Sequence, residues 1–210
     1  MVSLGEYLRD PCGTSSLPYW KAIGTPVPDG MSVVHDRDFS AGFLLTYADE
    51  PYFRLKCDMR NVTEPRLDVR FVARTATPDD FAALASLINT CYDDVAVTEK
   101  QVLGWTLTGV YRRDLWLLVT EKETSALIGA GIADYDPETR ELILEWIQVL
   151  PAYRRMGIGR YIVQALLAKT KGVATFATVS GRKDSPHDVE ALYRECGFEG
   201  NDVWHVLRKK

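Results

Sequence analysis

The chain has 210 residues, of which 46% are hydrophobic and 26% charged. That balance excludes a disordered or fibrous protein, and the length is enough to bury one core without staples. A net charge of −4 and a pI near 5.5 argue against a general nucleic-acid binder, which needs a basic face. No apolar run approaches the roughly 18 residues that span a bilayer. Met1 to Asp10 is polar and holds no apolar signal segment, so the expected location is cytoplasmic, with no membrane partner. Cys12, Cys57, Cys91 and Cys196 are widely spaced, with no metal-ligand pattern, and read as reduced structural thiols.

Residues 1–68 hold 6 of the 10 prolines, which break up long helices. Within them, Phe53 to Arg60 alternates apolar and charged side chains, the period of a strand with one buried face. This alternation reads as a sheet edge. Val33 and Val34 suggest a second short strand. The segment 1–68 is thus expected to be an irregular extension carrying one or two strands. A regular pattern starts at 69, and 69–210 reads as the main domain. A strand over 69–75 precedes Thr77-Pro78-Asp79-Asp80, a helix start with a Thr cap, Pro at the first position and acids in the first turn. A weaker helix covers 99–111. Strands follow at 115–120, 127–135 and 141–150. A helix over 161–171 and a strand over 173–179 come next. Ser185-Pro186-His187-Asp188 reads as another helix start with Ser185 as cap, and a strand over 203–207 ends the chain. The predicted class is α/β with a mixed sheet, because the strand–helix–strand crossover at 141–179 requires a parallel pair.

One stretch carries chemistry. Glu145 to Arg160 runs from an apolar strand through Pro151 into Arg154-x-x-Gly157-x-Gly159, where a helix opens. Glycines let backbone N–H groups approach a ligand without a Cβ in the way, and the unpaired N–H groups of the helix start favour an anion. Arg154, Arg155 and Arg160 add positive charge to an acidic chain, and a pyrophosphate suits such a turn.

This stretch resembles the core motif of the GNAT superfamily, the acetyl-CoA-dependent N-acetyltransferases. Val149-Leu150-Pro151 and Arg154 to Gly159 match its strand end and its loop, and Ala191-Leu192-Tyr193 with Gly197-Phe198 is similar to its last helix. The resemblance covers residues 69–208. It implies a splayed pair of parallel strands, here 141–150 and 173–180, that takes the pantetheine arm of acetyl-CoA. The amides of that arm would bond the backbone of Ile147, Gln148 and Val149. Its pyrophosphate would rest on the N–H groups of Arg155, Met156, Gly157, Ile158, Gly159 and Arg160, beside Arg154. The acceptor amine then attacks the thioester directly, with no acyl-enzyme and no metal. The implied partners are a small-molecule or peptide amine, and a homodimer, which is common in the family.

Two side chains are candidates for proton transfer. An amine is mostly protonated at pH 7, so its attack needs a base, and Glu145 stands on the central strand among apolar residues. Strand alternation places Glu145, Ile147 and Val149 on one face. By the resemblance, Tyr193 donates a proton to the departing thiolate. The family often has an Asn where this chain has Pro186. His35, His187 and His205 show no ligand pattern, and Trp105, Trp116 and Trp146 read as core, Trp146 being also placed to line an acceptor pocket. The alternative function is a non-catalytic acyl-CoA-binding or sensing module, which would need neither Glu145 nor Tyr193.

Overall fold

The computed structural model describes residues 2–185 and 188–210, so the expectations on Pro186 and His187 lie outside the described residues. The chain forms two compact units, one of Met59–Thr175 and one of Met1–Asp58 with Phe176–Lys210. Among the described residues no helix is long and apolar enough to cross a membrane.

The terminal unit holds four strands that pair antiparallel with one another. Its strands are β1 (Met31–His35), β2 (Tyr47–Asp58), β7 (Phe176–Arg182) and β8 (Phe198–Lys209), in the order β1-β8-β2-β7. The prolines leave room only for short helices: α1 (Leu4–Arg9), α2 (Pro11–Thr14) and α3 (Tyr19–Gly24). A reciprocal box of Ser3 and Glu6 caps α1, and Asp10 caps α2 by accepting from the Gly13 N–H at 2.9 Å.

The alternation at Phe53 to Arg60 does not mark a sheet edge: β2 is interior, paired with β8 on one side and β7 on the other. Phe53, Leu55, Cys57 and Met59 are buried as the period requires, yet Arg54 is only 2% exposed. Its guanidinium donates to Tyr7 Oη at 2.9 Å and Ser180 Oγ at 3.1 Å, so the N-terminal helices cover the second face of the strand. Alternation in one strand carries no sign of that cover. The short helix α7 (Val189–Glu195) is capped by Asp188, whose carboxylate accepts from the Ala191 N–H at 3.1 Å; Ser185 is not its cap. β8 outruns the strand predicted at 203–207 because it pairs with β1 and β2 along its length.

The central unit holds four further strands, each paired antiparallel with its neighbour. It contains β3 (Phe71–Thr75), β4 (Tyr111–Glu121), β5 (Leu127–Asp136) and β6 (Glu141–Val149), in the order β6-β5-β4-β3. On one face α4 (Phe81–Cys91) and α5 (Glu99–Trp105) bury Leu84, Ile88 and Val102 against Trp116, Leu118, Ala130 and Ile132. The helix start at Thr77 forms as read: Thr77 and Asp80 cap each other, and Arg74 clamps the Asp80 carboxylate at 2.6 Å and 2.7 Å. The helix at 99–111 is shorter than predicted, because Tyr111 already belongs to β4 and pairs with Asp134. On the other face lies α6 (Ile158–Thr170), three residues earlier in its start than predicted. Its approach depends on Gly131: a Cβ there would stand 2.2 Å from Ile162 Cγ2.

Candidate active site

The site is built on the end of β6. The β5–β6 register shifts between Ile132, opposite Trp146, and Ala133, opposite Leu144, so Glu145 is the extra residue of a β-bulge. The bulge corrects the simple alternation. Ile147 and Val149 share the face of Gly131 and Gly129, toward α6; Trp146 and Gln148 share that of Ile132 and Ala130, toward α4. Glu145, half-buried, sits where the two patterns meet, not in step with Ile147 and Val149.

The register also sorts the backbone groups. The Leu150 N–H donates to Ile128 C=O at 2.9 Å, which makes 150, 148 and 146 the residues that hydrogen-bond β5. The N–H and C=O groups of Ile147 and Val149 therefore point to the opposite edge. Gln148, expected to take part in cofactor binding through its backbone, turns those groups to β5 instead. The outward carbonyls are occupied from within the unit. Tyr92 Oη donates to Ile147 O at 3.1 Å, and Arg154 Nε donates to Val149 O at 3.1 Å.

Beyond β6 the chain makes a single helical turn at Pro151–Tyr153 and then reverses through two left-handed residues, Arg155 at φ 65° and Gly157 at φ 80°. A left-handed Arg is strained by about 1 kcal/mol or more, and the following glycine takes the same region without cost. Gly157 ends this loop as the N-cap of α6, with open space where its Cβ would be. Arg155, Met156, Gly157 and Arg160 are exposed, and Ile158, 1% exposed, anchors the turn in the core. Together they set the first-turn N–H groups of α6, which has no side-chain cap, among three arginines, a donor set that fits a pyrophosphate.

Around Glu145 the α4-facing side is aromatic. Trp105 stacks on Trp146 with ring centres 5.6 Å apart, and Tyr92 meets Trp146 edge-on at 5.6 Å. Trp116 is fully buried behind them, while Trp105, Trp146 and Tyr92 keep part of their surface. Gln148 is 3% exposed, and neither its side-chain nitrogen nor its oxygen has a hydrogen-bond partner. Neither Tyr92 nor the side chain of Gln148 was identified from sequence. Tyr92 follows a helix with no motif around it, and a polar residue in the apolar run Leu142 to Leu150 was the one available signal for Gln148.

Tyr193 belongs to the terminal unit, on α7. It is 8% exposed, with its ring against Phe53 at 6.1 Å and Phe198 at 5.8 Å. Among the described residues no group of His, Cys, Asp and Glu has the arrangement of a metal site.

Residues 112–200 match a family described as an acetyltransferase (GNAT) domain. No curated protein matches the chain. Among solved structures it is similar to a GCN5-related N-acetyltransferase from Sphaerobacter thermophilus, with TM-score 0.71 and 18% identity over 85% of this chain and 59% of that one. A Drosophila protein follows with TM-score 0.62 and 15% identity, over 94% and 64% of the two chains. A GCN5-related N-acetyltransferase from Kribbella flavida gives TM-score 0.56 and 15% identity, over 85% and 67%. At such identities the likeness speaks for the fold, and the chain spans less than two thirds of the length of the first two.

Proposed function

We propose that the protein, whose residues 112–200 match the GNAT acetyltransferase family, moves an acetyl group from acetyl-CoA to a primary amine by direct attack in a ternary complex. The observation that best supports this is the outward edge of β6 at Ile147 and Val149, which runs through the left-handed turn at Arg155 and Gly157 into α6. Acetyl-CoA supplies an acyl group already activated as a thioester, so the chain needs no nucleophile of its own. Ile147 and Val149 offer backbone groups for the amides of the pantetheine arm. The N–H groups from Arg155 to Arg160 take the pyrophosphate, with Arg154 beside them.

The remaining chemistry is proton transfer. The acceptor arrives as an ammonium ion and must lose a proton before its nitrogen can bond the acyl carbon. Glu145, on the bulge beside Trp146, takes that proton. As the carbon–sulfur bond breaks, Tyr193 gives a proton to the thiolate, and the second proton lost by the nitrogen restores the tyrosine through solvent. Trp105 and Trp146 give the acceptor an aromatic wall, which favours a cationic amine.

The test is release of free thiol from acetyl-CoA in the presence of a panel of primary amines. The wild-type protein turns over at least one, and Glu145→Gln and Tyr193→Phe each lower kcat by about 100-fold or more while acetyl-CoA still binds. Binding of acetyl-CoA with no thiol release for any amine would instead identify a sensing module.

A further inference from the structure

The outward carbonyls of Ile147 and Val149 are both engaged, and both engagements trace to the end of α4. Tyr92, the C-cap residue of that helix, donates its hydroxyl to Ile147 O at 3.1 Å. Arg154 donates to Val149 O at 3.1 Å, and its charge acts on the thiol of Cys91, the last residue of α4. Burial pushes the Tyr92 hydroxyl up to about 12, so it stays protonated and acts as a donor. The ring is held edge-on against Trp146, and the loop that follows is tied down by Asn89, which exchanges hydrogen bonds with Val97 N–H at 2.7 Å and Val97 C=O at 2.8 Å. The hydroxyl therefore sits on this edge from a fixed base.

We propose that Tyr92 is a latch on the cofactor edge: its hydroxyl occupies the Ile147 carbonyl in the free protein, and an incoming acyl-CoA amide must displace it. This rests on the reading of β6 as the acetyl-CoA edge. Binding exchanges one hydrogen bond at Ile147 for another, so the latch lowers affinity by what the Tyr92 bond contributes. A net hydrogen bond of this kind changes an equilibrium about 2- to 10-fold. The latch also slows association, because only the fraction of molecules with Tyr92 released accepts the cofactor. It couples the edge to the aromatic wall through the contact of Tyr92 with Trp146.

The experiment is a calorimetric and stopped-flow titration of acetyl-CoA into the full chain, wild type against Tyr92→Phe. The variant keeps the ring and its packing on Trp146. A latch predicts tighter binding by Tyr92→Phe, about 3- to 10-fold, with the gain in the association rate. It also predicts a change in tryptophan fluorescence when acetyl-CoA binds the wild type, lost in Trp146→Phe, a readout that does not depend on Tyr92→Phe folding. Wild-type binding with equal or weaker binding by a folded Tyr92→Phe, or with no fluorescence change from Trp146, overturns the latch and leaves the cofactor reading standing. Binding by neither protein overturns the cofactor reading, and the latch with it.

Discussion

A buried amide with no partner costs about 1–3 kcal/mol, and Gln148 carries one with both polar atoms unsatisfied. Replacing it with methionine keeps the length of the side chain and removes the unsatisfied groups. Gln148→Met is therefore expected to stabilise the protein by about 1 kcal/mol in urea unfolding; a loss of stability would show that the amide is satisfied in solution. Residues of this kind mark the limit of reading from sequence. The cap at Thr77 and the turn from Arg154 to Gly159 were legible because backbone geometry demands those residue types at fixed spacing. The bulge at Glu145 was not. A bulge inserts one residue into a ladder, and only the partner strand reveals that Ile132 faces Trp146 while Ala133 faces Leu144. Glu145 could thus be singled out as a candidate from sequence, but its setting on the bulge could not.

Most elements of the central unit could be read from periodicity, because each is amphipathic over several turns or alternations and bounded by Pro, Gly or a cap. The terminal unit was harder. Its sheet joins the two ends of the chain, and the interior place of β2 depends on β7 and β8, more than a hundred residues away. The cover over Arg54 comes from helices of four to six residues, too short to show a helical period. This topology makes residues 1–58 structural. Without β2, β7 and β8 lose the strand that each of them pairs with, and Phe53, Leu55 and Cys57 leave the core. A chain starting at residue 59 is expected to lose the strand signal of the terminal unit in circular dichroism and to aggregate; a soluble truncated protein with native-like spectra would contradict this.

At the scale of the whole molecule, charge and burial set how stability follows pH. The Arg74 guanidinium, with help from Thr77, holds the Asp80 carboxyl well below the ordinary value of 3.8, and Arg112 lowers Asp114 in the same direction. Their contribution is present above that value and is lost as the pH falls below it. On the alkaline side burial raises the Cys57 thiol from 9.0 to about 11 and the Tyr92 hydroxyl from 10.0 to about 12. Both groups ionise more readily when unfolded, so stability falls as the pH rises from 9.0 through about 11 for Cys57, and from 10.0 to about 12 for Tyr92. Urea unfolding across pH is expected to show both limbs, with the acid limb flattened in Asp80→Asn and the alkaline limb in Cys57→Ala. The claim on which the functional account turns is that the turn into α6 holds acetyl-CoA. Gly157 stands at φ 80°, a value proline cannot adopt. The most direct measurement is calorimetric titration of acetyl-CoA into the wild-type protein and into Gly157→Pro, with circular dichroism to show that both are folded. The account predicts saturable binding by the wild type and its loss in the variant; equal binding by both, or none by the folded wild type, would contradict it.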